Sequence, residues 1–274
     1  MEIIQVQQSE MLQAINRSEV DIQVSTAKQY PRDINRTLNQ IATYATMDTE
    51  TAGECFYVLR RGQGTAIEGL SVRMAEIIAG AWGNLRVQTR IIGNDGKTIT
   101  AQGICHDLET NVAVSVEVKR RITDKNGKTF SEDMQVVTGN AASAIAFRNA
   151  VLKVVPKAVT KRVIEEVKQV ALGQALDLET SRRNCLANFA KLNVTDQMIF
   201  DLFGISKIEE IDKEKVFELR GIWNAIKEGD TTVQEAFVKP IEEKKHTQDA
   251  MAKAMEAKAK AEAAASKNLN QEQA

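Results

Sequence analysis

The stretch at positions 112–121, VAVSVEVKRR, constrains the fold more than any other part of this sequence. Four valines alternate in it with polar or small residues, and the stretch closes on three basic residues. A two-residue period places one set of side chains against a core and the other in water. The pattern therefore predicts a half-buried β-strand with a basic end.

Turn signals before this strand predict an antiparallel sheet. Asn94-Asp95-Gly96 is typical of a hairpin between strands at 85–93 and 98–107, and Glu109 to Asn111 supply the next turn. A further short strand at 134–137 would make four. We expect an α+β fold with a three- to four-stranded antiparallel sheet packed on a long helix.

The long helix is predicted to begin at Gly139 and Asn140 and to run towards Leu172. Its first turns are rich in alanine, which lets a helix backbone approach a sheet closely. Pro156 removes a helical hydrogen bond and clashes with the preceding turn, so a kink is expected there.

The remaining segments divide the chain into four regions. Residues 1–30 form a flexible N-terminal arm with a short helix at 10–16 and a short strand at 20–24, and 31–172 form the α+β core. A small helical module follows at 181–238, and 239–274 is a low-complexity tail rich in Ala, Lys, Glu and Gln.

Cap and stop signals predict the helices that flank the sheet. Asp33 caps one helix, and Asp48 opens a second that runs through Leu59 to a glycine at 62. Ser71 caps a third, which ends at Gly83. The module at 181–238 carries similar caps, including a Ser-x-x-Glu box at 206–209.

The charge of the chain is unevenly distributed. The formal net charge is −1, but residues 60–162 hold 16 Lys and Arg against 9 Asp and Glu, a local net charge of +7. The three cysteines are widely separated and fit neither a disulfide framework nor a zinc site. Neither a secretory leader nor a membrane-length apolar run is recognisable, so we expect a cytoplasmic protein.

The basic residues of this central region are the candidate binding site for a polyanion. An ordinary solvated charged surface is the alternative, but acidic residues are nearly absent from 141–164, where a solvated helix would mix signs. Aromatic residues make up only 5% of the chain, which favours contacts to the phosphate backbone over base stacking. The candidates are Arg60, Arg61, Arg86, Arg90, Lys119, Arg120, Arg121, Arg148, Lys153, Lys157 and Lys161. Among them Arg120, Arg121, Arg148 and Lys153 are the firmest.

Two other functions are open to this sequence. Asp107, Glu117 and Lys119 match the D…ExK pattern of magnesium-dependent nucleases. A turn centred on Thr110 would pair Asp107 near Ala113 and leave the two carboxylates roughly 13 Å apart along the ladder, too far for one metal ion. The third reading is a phage assembly or scaffold protein, in which the basic face contacts acidic subunits. We expect a protein that is not an enzyme and needs no cofactor.

The order of three strands followed by a long basic helix resembles the phage RecT/Redβ and Erf groups and the eukaryotic Rad-type single-strand annealing proteins. The residues that carry the resemblance are 112–121, 124–128, Glu132-Asp133 and the helix from Gly139 through Ala144, Arg148, Ala150 and Lys153. The stretch at 66–86 also looks like part of phage and prophage proteins encoded near recombination functions. The likeness spans about residues 50–170.

This resemblance implies an ATP-independent protein that binds single-stranded DNA along a basic groove and anneals it in phage-type homologous recombination. It also implies a homo-oligomer in the form of a ring or helical filament. A single-strand binding protein or an exonuclease would then bind the C-terminal helical module.

Overall fold

The computed structural model describes residues 2–60, 65–124, 126–173 and 178–237, which form an α+β protein. The helices are α1 (Glu2–Gln29), α2 (Ile34–Ala45), α3 (Thr49–Glu54), α4 (Val72–Trp82), α5 (Glu132–Val154), α6 (Lys157–Leu172), α7 (Leu178–Ala190), α8 (Asp196–Phe203), α9 (Lys213–Lys227) and α10 (Val233–Phe237). The strands are β1 (Phe56–Leu59), β2 (Ile67–Leu70), β3 (Leu85–Asn94), β4 (Thr98–Asp107) and β5 (Val112–Arg121). A 3-10 turn covers Ile208–Glu210.

The predicted central sheet is confirmed. Strands β3, β4 and β5 form an antiparallel meander with β4 in the middle. The hairpin turns lie where the sequence places them, with Gly96 and Asn111 in left-handed backbone conformations (φ 78° and 58°). This sheet packs on the long helix α5, as the alternation of valines and the alanine-rich helix start predict.

The contact between sheet and helix depends on small residues on both sides. A Cβ atom placed on Gly103 would lie 2.3 Å from the backbone oxygen of Ala146. The fully buried Ala142 and Ala146 face Ile99 and Ala101 of β4 across this contact. The helix backbone therefore rests almost directly on the central strand, where a larger side chain would separate the two layers.

Two larger apolar clusters fill the rest of the molecule. The first joins α2, α3, α4, α5 and α6 to one face of the sheet, and the second lies among the helices from α7 to α10. Helix α9 connects the two because Gly221 lies against Val58 of β1, with no room for a side chain. Asn224, also on α9, donates hydrogen bonds of 3.0 and 2.8 Å to the carbonyls of Gly53 and Phe56.

Most of the predicted helix caps are present. At five of the predicted caps the side chain accepts a hydrogen bond from the backbone amide three positions later: Asp33, Asp48, Ser71, Thr195 and Asp212. These bonds satisfy amides that have no partner inside the helix. The predicted box at 206–209 is different, because Lys207 precedes the 3-10 turn and makes no side-chain cap bond.

The predicted fourth strand at 134–137 is wrong, because these residues lie in α5. Ser131 accepts a hydrogen bond from the amide of Met134 and begins the helix at Glu132, seven residues before Gly139. The other two strands of the described structure, β1 and β2, form a separate two-stranded sheet and do not extend the central one. Pro156 divides the predicted long helix into α5 and α6, with Val155 in an extended conformation between them.

Two segments near the N-terminus also differ from the prediction. Residues 56–59 form β1, paired with β2, instead of continuing the helix that Asp48 caps. Their composition, Phe-Tyr-Val-Leu, favours a strand. Residues 20–24 belong to the 28-residue helix α1 and not to a strand. Val20, Val24 and Ala27 are at least half buried, whereas Ile22 is exposed. The buried positions are therefore three or four residues apart, as in a helix, and not two apart, as in a strand.

Among the described residues, no helix is long and apolar enough to cross a membrane. The predicted tail at 239–274 lies outside the described part of the chain, as does Gly62, the glycine expected to end the second helix.

Candidate nucleic-acid interface

The sheet has two faces of different character. On β4 the odd-numbered residues 99–107 are buried towards α5, so the even-numbered residues point to the opposite side. We call this opposite side the outer face. The cross-strand register places four candidate cations on it: Arg86 and Arg90 on β3 pair with His106 and Gln102, and Lys119 and Arg121 on β5 pair with Thr100 and Thr98.

Three of these four cations have no hydrogen-bond or ion-pair partner in the described part of the chain. Arg90, Lys119 and Arg121 are exposed and make no hydrogen bond or ion pair there. Hydrogen bonds from Thr98 and Lys97, with a smaller contribution from the charge of Lys119, lower the pKa of Asp95 in the turn before β4. Arg86 donates a 2.9 Å hydrogen bond to Gln23 of α1. Glu117 is the single carboxylate among the outward residues of β3, β4 and β5. The outer face is therefore positive and open to a ligand.

The layout of the outer face is a neutral floor between two basic edges. The floor consists of the outward residues of β4: Thr98, Thr100, Gln102, Ile104 and His106. The cations lie on the flanking strands, about 10 Å apart at ~4.8 Å per strand spacing. His106 Nε2 lies 3.0 Å from Asn111 Oδ1 at the end of this floor.

Two of the firmest candidates instead bind another part of the chain. Arg120 points to the α5 side of the sheet and donates to the carbonyl oxygen of Gly229. Arg148 is buried, with Nη1 2.6 Å and Nη2 3.3 Å from the two carboxylate oxygens of Asp230. Its guanidinium also stacks on Tyr57 at 4.6 Å. Both arginines hold the segment after α9 against the sheet and α5.

The same segment contains a carboxyl group in an unfavourable environment. Glu228 Oε2 accepts a 3.3 Å hydrogen bond from the Val72 amide at the start of α4 and lies 3.9 Å from Arg148 Nη1. Burial, with the neighbouring charge of Asp230, raises the pKa of Glu228 despite these two favourable contacts.

Arg60 also makes its contacts with other residues of the protein. Its Nη1 lies 2.5 Å from Glu218 Oε2 on α9, and its guanidinium stacks on Phe203 at 4.9 Å. These contacts bind the end of β1 to the C-terminal helices. Arg61, its predicted companion, lies outside the described residues.

The remaining candidates lie on the helices. Lys153 near the end of α5 and Lys157 at the start of α6 are exposed and unpaired in the described structure. Lys161 lies 3.8 Å from Glu165 in an exposed pair. Because α5 packs against the inner face of the sheet, the sheet separates these lysines from the outer face. The structure does not bring the helix and sheet cations together in one groove.

The residues of the nuclease alternative are also separated. Asp107 pairs with Val112, one residue from the predicted register, and Glu117 pairs with Gln102. Five residues separate Val112 from Glu117, so the two carboxylates point to opposite faces and lie about 17 Å apart along the ladder. Among the described residues no three His, Cys, Asp or Glu side chains are grouped to hold a metal ion.

Asp107 has a different role, in a buried ion pair that the sequence reasoning missed. Arg32 reaches both of its carboxylate oxygens, with Nη1 3.1 Å and Nη2 3.0 Å away, and also donates to the carbonyls of Trp82 and Gly83. Burial alone would raise the pKa of Asp107, but hydrogen bonds from Arg32 and the Glu109 amide hold it below its ordinary value. No sequence signal connects residues 75 positions apart.

Comparison with known proteins gives no relative: no family model, no curated protein and no solved structure matches this chain.

Proposed function

We propose that this protein binds single-stranded DNA on the outer face of its sheet and anneals complementary strands without ATP, in phage-type homologous recombination. The observation that carries the proposal is the contrast between the two faces. On the α5 side of the sheet, Arg120 binds the Gly229 carbonyl and Arg148 binds the Asp230 carboxylate, and the exposed Lys153 and Lys157 lie apart on two helices. On the outer face, Arg90, Lys119 and Arg121 lie on one sheet surface and are exposed and unpaired in the described structure. Unpaired cations on an open surface are available to phosphates.

The floor between these cations favours a strand bound by its backbone. Its half-exposed Gln102 can donate to phosphate or sugar oxygens, and the outward residues of β4 include no Phe, Tyr or Trp on which a base could stack. Bases left unstacked by the protein remain free to pair with a second strand. Binding of this kind depends strongly on salt and weakly on sequence.

The proposal extends to the partners that the resemblance to single-strand annealing proteins implies. We propose a cytoplasmic homo-oligomer whose C-terminal helices offer a surface to a single-strand binding protein or exonuclease. The nuclease alternative has no support from the positions of Asp107 and Glu117, which point to opposite faces.

Annealing of complementary oligonucleotides, with and without the protein and at two salt concentrations, tests the proposal. Faster annealing without ATP, weakened by added salt, is the expected result. A parallel reaction with magnesium and a single labelled strand separates annealing from cleavage. Absence of single-strand binding at low salt would rule the proposal out.

A further inference from the structure

The two flanking strands of the central sheet, β3 and β5, each have one edge without a partner strand in the described structure. Strands β3 and β5 are ten residues long, and each pairs with β4 alone. Apolar side chains at these edges are half exposed, at 46% for Ile91 and 49% for Val112. Long open edges with exposed apolar residues readily pair with another strand, and monomeric proteins normally protect them.

Space for another strand lies beside β3. A groove of about 570 Å³ separates the start of β3 from α1, and Ile22 and Gln23 line it opposite Leu85 and Val87. The Ile22 side chain is 66% exposed, so an apolar surface there has no cover. An added strand would satisfy the β3 backbone and cover these side chains at once.

We propose that the β5 edge of a second copy of this chain occupies the β3 edge, which continues the sheet from one copy to the next. Strands β3 and β5 run in the same direction, since both are antiparallel to β4. A second copy placed beside the first in the same orientation therefore brings β5 alongside β3 as a parallel pair.

Charge complementarity determines the register. Arg90, Gln102 and Glu117 occupy one row of the outer face, so a sheet that continues without stagger places Glu117 of the second copy beside Arg90. A shift by two residues in one direction would place Lys119 beside Arg90 instead, with like charges opposed. A shift by one residue would turn the valines of β5 away from the core side.

The unstaggered register also matches the apolar residues. On the α5 side it sets Val87 and Ile91 of one copy beside Val114 and Val118 of the next, and Leu85 beside the exposed Val112. The interface joins two different edges, so each added copy presents a new free edge and the assembly continues into a ring or filament.

The edge pairing is argued from the sheet alone, but its role in DNA binding rests on the proposed function. The pairing neutralises Glu117, the single outward carboxylate of the sheet, with Arg90 of the neighbour. The outer faces of successive copies then form one surface whose remaining charges, on Arg86, Lys119 and Arg121, are all positive.

Charge reversal at the interface, measured by sedimentation in the absence of nucleic acid, tests the pairing. The variants Arg90→Glu and Glu117→Arg each oppose like charges across the interface, so association of the full chain is expected to weaken about tenfold or more. The double variant restores opposite charges and is expected to assemble as the wild type does. An equimolar mixture of the two single variants should also co-assemble.

A monomeric wild type at tens of micromolar, or a double variant no better than either single variant, would overturn the pairing. Circular dichroism of each variant distinguishes lost assembly from lost folding. Lys157→Glu on α6 is the control, since it lies on neither edge. Single-strand binding is measured separately, so assembly without DNA binding would contradict the proposed function and leave the edge pairing intact.

Discussion

Arg32 and Asp107 form a two-pronged ion pair that ties the segment before α2 to the end of β4. The side chains are 6% and 5% exposed, and the Trp82 indole donates a further, longer hydrogen bond of 3.4 Å to the same carboxylate. Arg32 also stacks on the Trp82 ring at 4.6 Å. A buried pair with this many partners tolerates the loss of neither charge.

Replacement of Asp107 by Asn is therefore expected to lower the free energy of unfolding by about 3–5 kcal/mol, because it leaves the Arg32 charge buried and uncompensated. Urea denaturation at neutral pH measures the change. Asp33→Asn is the matched control: Asp33 is exposed, and Asn caps a helix about as well. Equal effects at the two positions would contradict this role for Asp107.

The same pair contributes to acid sensitivity. The pKa of Asp107 is lower in the folded protein than in the unfolded chain, so its stabilisation is complete above the unfolded value. It is lost as the pH falls through the folded value. The difference in stability between wild type and Asp107→Asn should accordingly shrink in acid.

Glu228 shows the opposite dependence on pH. Burial raises its pKa in the folded state, so the ionised carboxylate opposes folding once the pH exceeds that value. Glu228→Gln keeps an oxygen for the Val72 amide and is expected to raise the melting temperature at neutral pH, with little effect in acid. The control is Glu166→Gln, at an exposed position on α6, which should leave the melting temperature unchanged at neutral and at acid pH. A lower melting temperature at neutral pH would mean that the attraction to Arg148 outweighs burial.

Gly103 and Gly80 offer a matched test of the contact between sheet and helix. Gly103→Ala forces a methyl group against the Ala146 backbone and is expected to cost about 1–3 kcal/mol of stability. Gly80, exposed on α4, has no atom within 4 Å of an added Cβ, so alanine there should stabilise the helix by about 0.5–1 kcal/mol. Chemical denaturation of both variants compares them. An unchanged free energy of unfolding in Gly103→Ala would show that the sheet and α5 can separate slightly at little cost.

Local signals in the sequence were sufficient for the sheet and for most helix caps. The alternation at 112–121 and the turn at Asn94 to Gly96 act over a few residues, and the structure follows them. At 134–137 the two valines favour a strand, but the cap at Ser131 and the packing of α5 on the sheet make the segment helical.

The candidate site was less predictable, because charge alone does not reveal a distant partner. Arg148 looks like a free helix cation in the sequence, yet Asp230, which binds it, lies 82 residues later. Arg120 and Arg121 are neighbours in the chain, but a strand turns them to opposite faces, one to Gly229 and one to open solvent.

The most direct test of the outer face is the affinity for a single-stranded oligonucleotide, measured as a function of salt, after charge reversal at Lys119 and Arg121. The control reverses two exposed lysines in the connections between the C-terminal helices, Lys191 and Lys207, with the same change in net charge. A third variant reverses Lys153 and Lys157 on the far side of the sheet.

The outer-face variant is expected to bind about 10- to 100-fold more weakly, with the slope of log affinity against log salt reduced by roughly 1.4, which corresponds to two phosphates at ~0.7 each. The control should keep nearly the full affinity and slope. Wild-type affinity in the outer-face variant, or an equal loss in the control, would contradict binding on the outer face of the sheet.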